Sequence, residues 1–76
     1  MNKNQKKELD RYRDMIEQAR DGIDMMAEEE RGKLDNLEDR NVYEGDLHES
    51  LEQAADTLEG IRDNLDDALS AFDELP

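Results

Sequence analysis

Residues 47–75 read LHESLEQAADTLEGIRDNLDDALSAFDEL, and within them Leu47, Leu51, Ala54, Leu58, Ile61, Leu65, Ala68, Phe72 and Leu75 recur in steps of four and three. Such steps place apolar side chains along one side of an α-helix, at the a and d positions of a heptad, and no polar residue breaks the series. The stretch therefore predicts a helix from about Asp46 to Leu75. Asp46, with Glu49 three residues on, has the spacing of a capping box, in which each side chain reaches the other residue's backbone N–H. Pro76 marks the stop.

Upstream, Leu9, Tyr12, Ile16, Ala19, Ile23 and Met26 follow the same steps, with Met15 and Met25 flanking them. Glu30 and Lys33 then intrude before Leu37, while Ala27 and Leu34 stand one residue along, so the seam is expected to drift there. Gly22 and Gly32 each cost roughly 1 kcal/mol relative to alanine inside a helix. A first helix from about Asn4 to Leu37 is expected, its second half the weaker. Residues 38–46 remain for a turn of the length that joins antiparallel helices.

The two series can be set against each other, because facing residues of an antiparallel hairpin have numbers adding to a constant. Leu9 with Leu75, Tyr12 with Phe72, Ile16 with Ala68, Ala19 with Leu65, Ile23 with Ile61, Met26 with Leu58 and Leu37 with Leu47 all add to 84. The predicted fold is all-α: one domain over residues 1–76, a coiled-coil-like antiparallel hairpin of two helices. The charges agree with it. Residues 1–20 carry Lys3, Lys6, Lys7, Arg11, Arg13 and Arg20, whereas residues 41–76 are acidic apart from Arg62 and the neutral His48. Lys6, Arg13 and Arg20 are expected along the rim that faces Asp67 and Glu74.

A hairpin is a single layer, and a chain of 76 residues buries only about 60% of the surface its unfolded form exposes. No cysteine is present to staple it. Ala55, Leu69 and Ala71 widen the apolar stripe of the second helix beyond what one neighbour covers. A homodimer forming a four-helix bundle is therefore expected, with Leu51, Ala55, Leu58, Leu65, Leu69 and Phe72 at the interface.

Ten Lys and Arg stand against 23 Asp and Glu, a net charge of −13. That charge argues against direct nucleic-acid binding and favours a basic partner. No apolar run nears the ~20 residues of a membrane span, and Met1–Lys7 lacks the apolar stretch of a signal peptide, so a cytoplasmic location is expected.

Nothing in the sequence assembles into a catalytic centre. With one histidine, His48, and no cysteine, neither a Cys–His nucleophile nor a Cys/His zinc cluster forms from one chain. Paired carboxylates act as acid and base only in a partly desolvated cleft, which a narrow hairpin lacks. A calcium loop counted from Asp39 fails, with Glu44 where glycine and Ser50 where glutamate is required. No enzyme activity, cofactor or metal is expected.

One feature stands out: a line of carboxylates on the second helix, Glu49, Glu52, Asp56, Glu59, Asp63, Asp66 and Asp73, with Ser70 in the vacant place. Their b and f positions lie opposite the seam, and at about 1.5 Å per residue the line runs about 36 Å. A carboxylate falls roughly every 5 Å along it, a spacing comparable to that of backbone phosphates.

Met1-Asn2-Lys3-Asn4-Gln5-Lys6-Lys7-Glu8-Leu9, the run from Glu28 to Leu37 and the acidic stretch from Leu58 to Leu65 together resemble a group of small proteins encoded by bacteriophages and prophages. The resemblance covers most of the chain and implies a phage context, with the cytoplasm of a host cell as its setting, and no mechanism. The leading expectation is an accessory protein that inhibits a host nucleic-acid-handling or defence protein through its acidic helix face. The alternatives are an assembly protein acting through its apolar stripe and an oligomeric sponge for a cyclic nucleotide around Arg40, Tyr43 and His48.

Overall fold

The computed structural model describes residues 1–76 as two helices, α1 (Lys3–Asp39) and α2 (Asp46–Phe72), packed side by side as a hairpin measuring 58 × 16 × 15 Å. The long dimension is the length of α1, 37 residues at about 1.5 Å each. There is no strand, and no helix is long and apolar enough to cross a membrane.

Each boundary has a local cause. At the start of α1 the Gln5 N–H donates to Asn2 Oδ1 at 2.8 Å and the Asn2 N–H donates to Gln5 Oε1 at 3.1 Å, a reciprocal cap that satisfies two otherwise orphaned donors. At its end Asn41 takes φ 61°, the left-handed region. This lets the Val42 N–H donate to the Leu37 carbonyl and the Asn41 N–H to the Glu38 carbonyl, each at 2.9 Å. Gly45, at φ 108°, then swings the chain into α2.

The expected Asp46 cap does not form: Gly45 occupies the cap position, and no side chain bonds the first N–H groups. Asp46 and Glu49 sit inside the first turn instead, where their charge favours the positive end of the helix dipole. α2 also stops at Phe72, short of Leu75. The Asp73, Glu74 and Leu75 N–H groups bond carbonyls three residues back, and Leu75, which precedes Pro76, is disfavoured in the α region.

The seam holds half of the predicted heptad. Leu9, Ile16, Ile23 and Leu37 of α1, and Leu51, Leu58, Leu65 and Phe72 of α2, are all at least partly buried as expected. The companion series is displaced by one residue on both helices. Arg13, Arg20, Ala27 and Leu34 replace Tyr12, Ala19, Met26 and Lys33, while His48, Ala55 and Arg62 replace Leu47, Ala54 and Ile61 as the more covered set, and Leu69 is partly covered together with Ala68. Tyr12 is 45% exposed, Met26 53% and Leu47 61%. The drift foreseen at Ala27 and Leu34 thus runs through the whole hairpin.

The most deeply buried residues are Ala27, Leu34, Leu51 and Ala55. All lie in the half nearer the turn, so the second half of α1, expected to be its weaker part, contains that helix's best-packed positions. Toward the open end the seam is lined by half-buried Leu9, Ile16, Leu65 and Phe72 with Arg13 and Arg20, whose aliphatic stems lie along apolar surface while their charged heads reach water.

Candidate functional site

Displacement of the seam gives the hairpin two unlike sides. A helix turns about 100° per residue, and in an antiparallel pair, rotation of the same sense away from the seam brings residues of both helices to the same side. Asp24, Glu59 and Asp66 lie one way, beside Arg13, Arg20, Arg31 and Arg62. Tyr12, Met15, Ala19, Gly22 and Met26 of α1 lie the other way, with Ser50, Ala54, Thr57 and Ile61 of α2.

On the charged side, arginines run down the middle and hold carboxylates from both helices. Arg20 Nε donates to Asp66 Oδ1 at 2.7 Å across the hairpin, while Nη1 reaches Asp21 at 3.3 Å and Asp24 at 3.9 Å. Arg62 mirrors it from α2, its Nη1 donating to Asp24 Oδ1 at 2.9 Å and its Nη2 to Asp63 Oδ1 at 3.0 Å. Arg31 Nη2 binds Asp56 Oδ1 at 2.9 Å and also the Glu59 carboxylate. These bonds hold each guanidinium's affinity for its proton above the ordinary value: Asp66 is the main cause for Arg20, Glu59 for Arg31 and Asp24 for Arg62.

Nearer the turn, His48 Nε2 lies 3.3 Å from Glu38 Oε1 and Nδ1 lies 3.7 Å from Glu52 Oε2. Arg20 with Asp66, Asp24 with Arg62 and Glu38 with His48 each add to 86, two more than the predicted seam pairs, because these contacts lie on one rim.

The rim therefore differs from the one expected. Arg20 pairs with Asp66, while Asp67, about 100° further round the helix, is exposed without an ion pair, as is Glu74. Arg13 pairs along its own helix with Glu17 at 3.9 Å, and Lys6 sits at the open end beside Leu9, Phe72 and Pro76.

Of the seven carboxylates singled out on α2, Asp56, Glu59, Asp63 and Asp66 bind arginine and Glu52 approaches His48, while Glu49 and Asp73 are exposed without ionic partners. The line is thus less isolated than its sequence implied. It also has a counterpart on α1. Asp10, Asp14, Glu17, Asp21, Glu28 and Asp35 of α1 recur in steps of four, three, four, seven and seven. They stand at the same angles from their seam as Glu52, Asp56, Glu59 and Asp63 do from theirs. The signal was present in the spacing but hidden by the basic residues interleaved in α1.

With packed helix axes about 8–10 Å apart, the two carboxylate rows run on the order of 10–15 Å from each other, the scale of a duplex groove about 12 Å wide. Side chains in both rows are open to solvent: Asp21 is 64% exposed, Asp56 64% and Asp63 65%. No group of three or more His, Cys, Asp or Glu residues is arranged to hold a metal.

The six residues expected at a dimer interface, Leu51, Ala55, Leu58, Leu65, Leu69 and Phe72, all fall in the covered seam between α1 and α2. Ala55 and Leu69, counted as surplus, belong to the hairpin's own contact. The apolar surplus lies on the opposite flank. There Met26, Ser50, Ala54 and Thr57 line one shallow groove, with Glu30 and Gln53 at its edge.

Arg40, Tyr43 and His48 are not gathered into one pocket. The depression at the turn is formed by Asn41, Val42, Tyr43 and Glu44, and the Tyr43 and His48 rings stand 6.5 Å apart at 51°.

Compared with known proteins, the chain matches no family model, and no match was found among curated proteins or solved structures.

Proposed function

We propose that the hairpin is a non-enzymatic binding protein that engages a basic, nucleic-acid-handling protein of a host cell, with its doubly acidic side taking the place of nucleic-acid phosphates. The observation that carries this reading is the presence of two carboxylate rows, one per helix, on a single side. One row alone would serve as a solubility face, but two rows at groove-like separation present charge in the pattern that a phosphate-binding surface is built to receive. The arginines between them act as positioning residues, fixing Asp66, Asp24, Glu59 and Asp56 so that less side-chain freedom is lost on binding.

The test is capture of partners on the immobilised hairpin, followed by competition with duplex DNA and with salt. Bound protein is expected to be released by either. A variant carrying Asp14→Asn, Glu28→Gln, Glu52→Gln and Asp63→Asn should lose at least about 100-fold in affinity while keeping its helicity. Capture that withstands DNA and is unchanged in this variant would refute the reading.

A further inference from the structure

Between Tyr12 and Met26 of α1 and between Ser50 and Ala71 of α2, the side opposite the carboxylate rows has no ionic residue of its own, in a chain whose residues are 43% ionic. From Tyr12 to Met26, α1 presents Tyr12, Met15, Ala19, Gly22 and Met26 there. From Ser50 to Ala71, α2 presents only Ser50, Ala54, Thr57, Ile61, Asn64, Ala68 and Ala71. Met15 is 54% exposed and Ile61 39%. Large apolar side chains in the open, with a carboxylate only at the edge beside Met26, mark a surface built to be covered.

Two observations identify the occupant as a second copy of this chain. The first is area. A folded monomer of 8.8 kDa exposes about 4,800 Å² by the usual scaling with mass, yet this one exposes 5793 Å². The excess of about 1,000 Å² belongs to the elongated, single-layered shape as a whole, and it is large enough to supply the roughly 800 Å² that each partner buries in a stable complex.

The second is complementarity of the face with itself. Along α1 the residues read Glu8, Met15, Ala19, Gly22, Met26, Lys33: charged, large, small, small, large, oppositely charged. Glu8 with Lys33, Met15 with Met26 and Ala19 with Gly22 each add to 41, as does Tyr12 with Glu29, so a two-fold axis crossing the centre of α1 sets opposite charges, the two methionines and the two small residues against each other and a tyrosine hydroxyl against a carboxylate. On α2, Ile61 with Ala68 adds to 129. Half of 41 and half of 129 add to 85, which is also the value for the buried residues Leu34 with Leu51, so one axis serves both helices.

We propose that two hairpins stack through this face about that axis, α1 antiparallel to α1 and α2 antiparallel to α2, as a four-helix bundle with both doubly acidic sides outward. The inference is independent of what those acidic sides bind.

The ends of the molecule agree with the antiparallel arrangement. Residues 1–13 carry five basic and two acidic side chains, a net +3, whereas residues 35–49 carry one basic and six acidic, a net −5. Stacking sets the open end of each copy over the turn of the other and brings these opposite charges together. The two-fold also accounts for Gly22. A Cβ at that position would meet nothing within 4 Å in its own chain, so packing inside the hairpin does not require glycine. The place where two α1 backbones cross most closely does.

Sedimentation of the full chain over a dilution series, with circular dichroism at each concentration, tests the proposal. The expected result is a reversible doubling of the 8.8 kDa mass. Ile61→Glu and, separately, Ala19→Glu should each weaken association at least about 100-fold by stranding a carboxylate in the interface, with helicity retained. Asp67→Asn, on the outer surface, should not weaken it. Chains bearing Met15→Cys and Met26→Cys, mixed and treated with a short thiol cross-linker, should join to each other and not to themselves. A mass of 8.8 kDa at every concentration, a dimer indifferent to both glutamates, or self-joining of the Met15→Cys chain would overturn the proposal.

Discussion

The two long sides of this hairpin solve the same problem with opposite materials. One flank of the seam is closed by arginines, whose aliphatic stems cover apolar surface and whose heads bind Asp24, Asp56, Glu59, Asp63 and Asp66. The other is left open and mainly apolar around Tyr12, Met26, Ala54 and Ile61, with charge only at its edges, where Arg11 lies over the Tyr12 ring and Glu30 borders Met26. An arginine can finish a seam and still face water, whereas a methionine or isoleucine in the same place needs a further neighbour. A single-layered fold thereby has one side complete in itself and one side whose apolar side chains stay open to solvent.

The sharpest way to break this comparison is a pair of adjacent substitutions. Ala55 is 0% exposed in the seam, while Ala54 faces the open groove. Ala55→Asp should cost several kcal/mol and unfold the hairpin, because a carboxylate there is enclosed without a partner. Ala54→Asp, measured at a dilution where chains do not associate, should cost less than about 1 kcal/mol. Equal loss of helicity in urea titrations of the two variants would show that the seam does not pass through Ala55 in preference to Ala54.

That contrast also marks how far the sequence could be read. The number and direction of the helices, the turn, and the series Ile16, Ile23, Leu51, Leu58, Leu65 and Phe72 follow from periodicity, because large apolar residues at those steps have no other role to play. The companion series does not, for a physical reason. A search for apolar letters selects Tyr12, Met26, Ala54 and Ile61 and passes over Arg13, Arg20 and Arg62, although it is the arginine stems that lie along the seam. The same substitution of stem for side chain concealed the acidic row of α1, whose carboxylates alternate with the basic residues that they surround. The cap at Gly45 is not legible because Asp46 and Glu49 satisfy the capping pattern one residue too late.

A smaller effect comes from the glycines, two of which can be set against each other. A Cβ at Gly60 would meet nothing within 4 Å, so Gly60→Ala should stabilise the hairpin by about 1 kcal/mol, raising its melting temperature by roughly 4–8 °C. Gly45, at φ 108°, also has open space around it, yet Gly45→Ala should lower the melting temperature because the strain lies in the backbone. A fall in the first variant or a rise in the second would overturn this account of α2 and its entry.

The smallest expected effect is at the edge of the open side. Lys33 bonds Glu30 at 2.9 Å, and that contact raises its ammonium above the ordinary value of 10.5. A group whose value is raised by folding contributes its stability fully below 10.5 and loses it as the pH climbs through the folded value. Stability should therefore dip slightly at strongly alkaline pH in the native chain and not in Lys33→Met, as followed by thermal melts. Identical alkaline profiles would remove the pair from the account.

The turn has a mechanical consequence. Because Asn41 and Gly45 reverse the chain, Met1 and Pro76 come together at the opposite end, where they border one depression. A load applied between those two residues does not shear the helices along their length. It pries them apart from the open end, breaking one layer of side chains at a time and reaching the well-packed layers of Ala27, Leu34, Leu51 and Ala55 last. A load applied lengthwise between the open end and the turn runs instead along the backbone of a single helix and leaves the layers closed. The same set of contacts thus gives a clasp that opens from one end only.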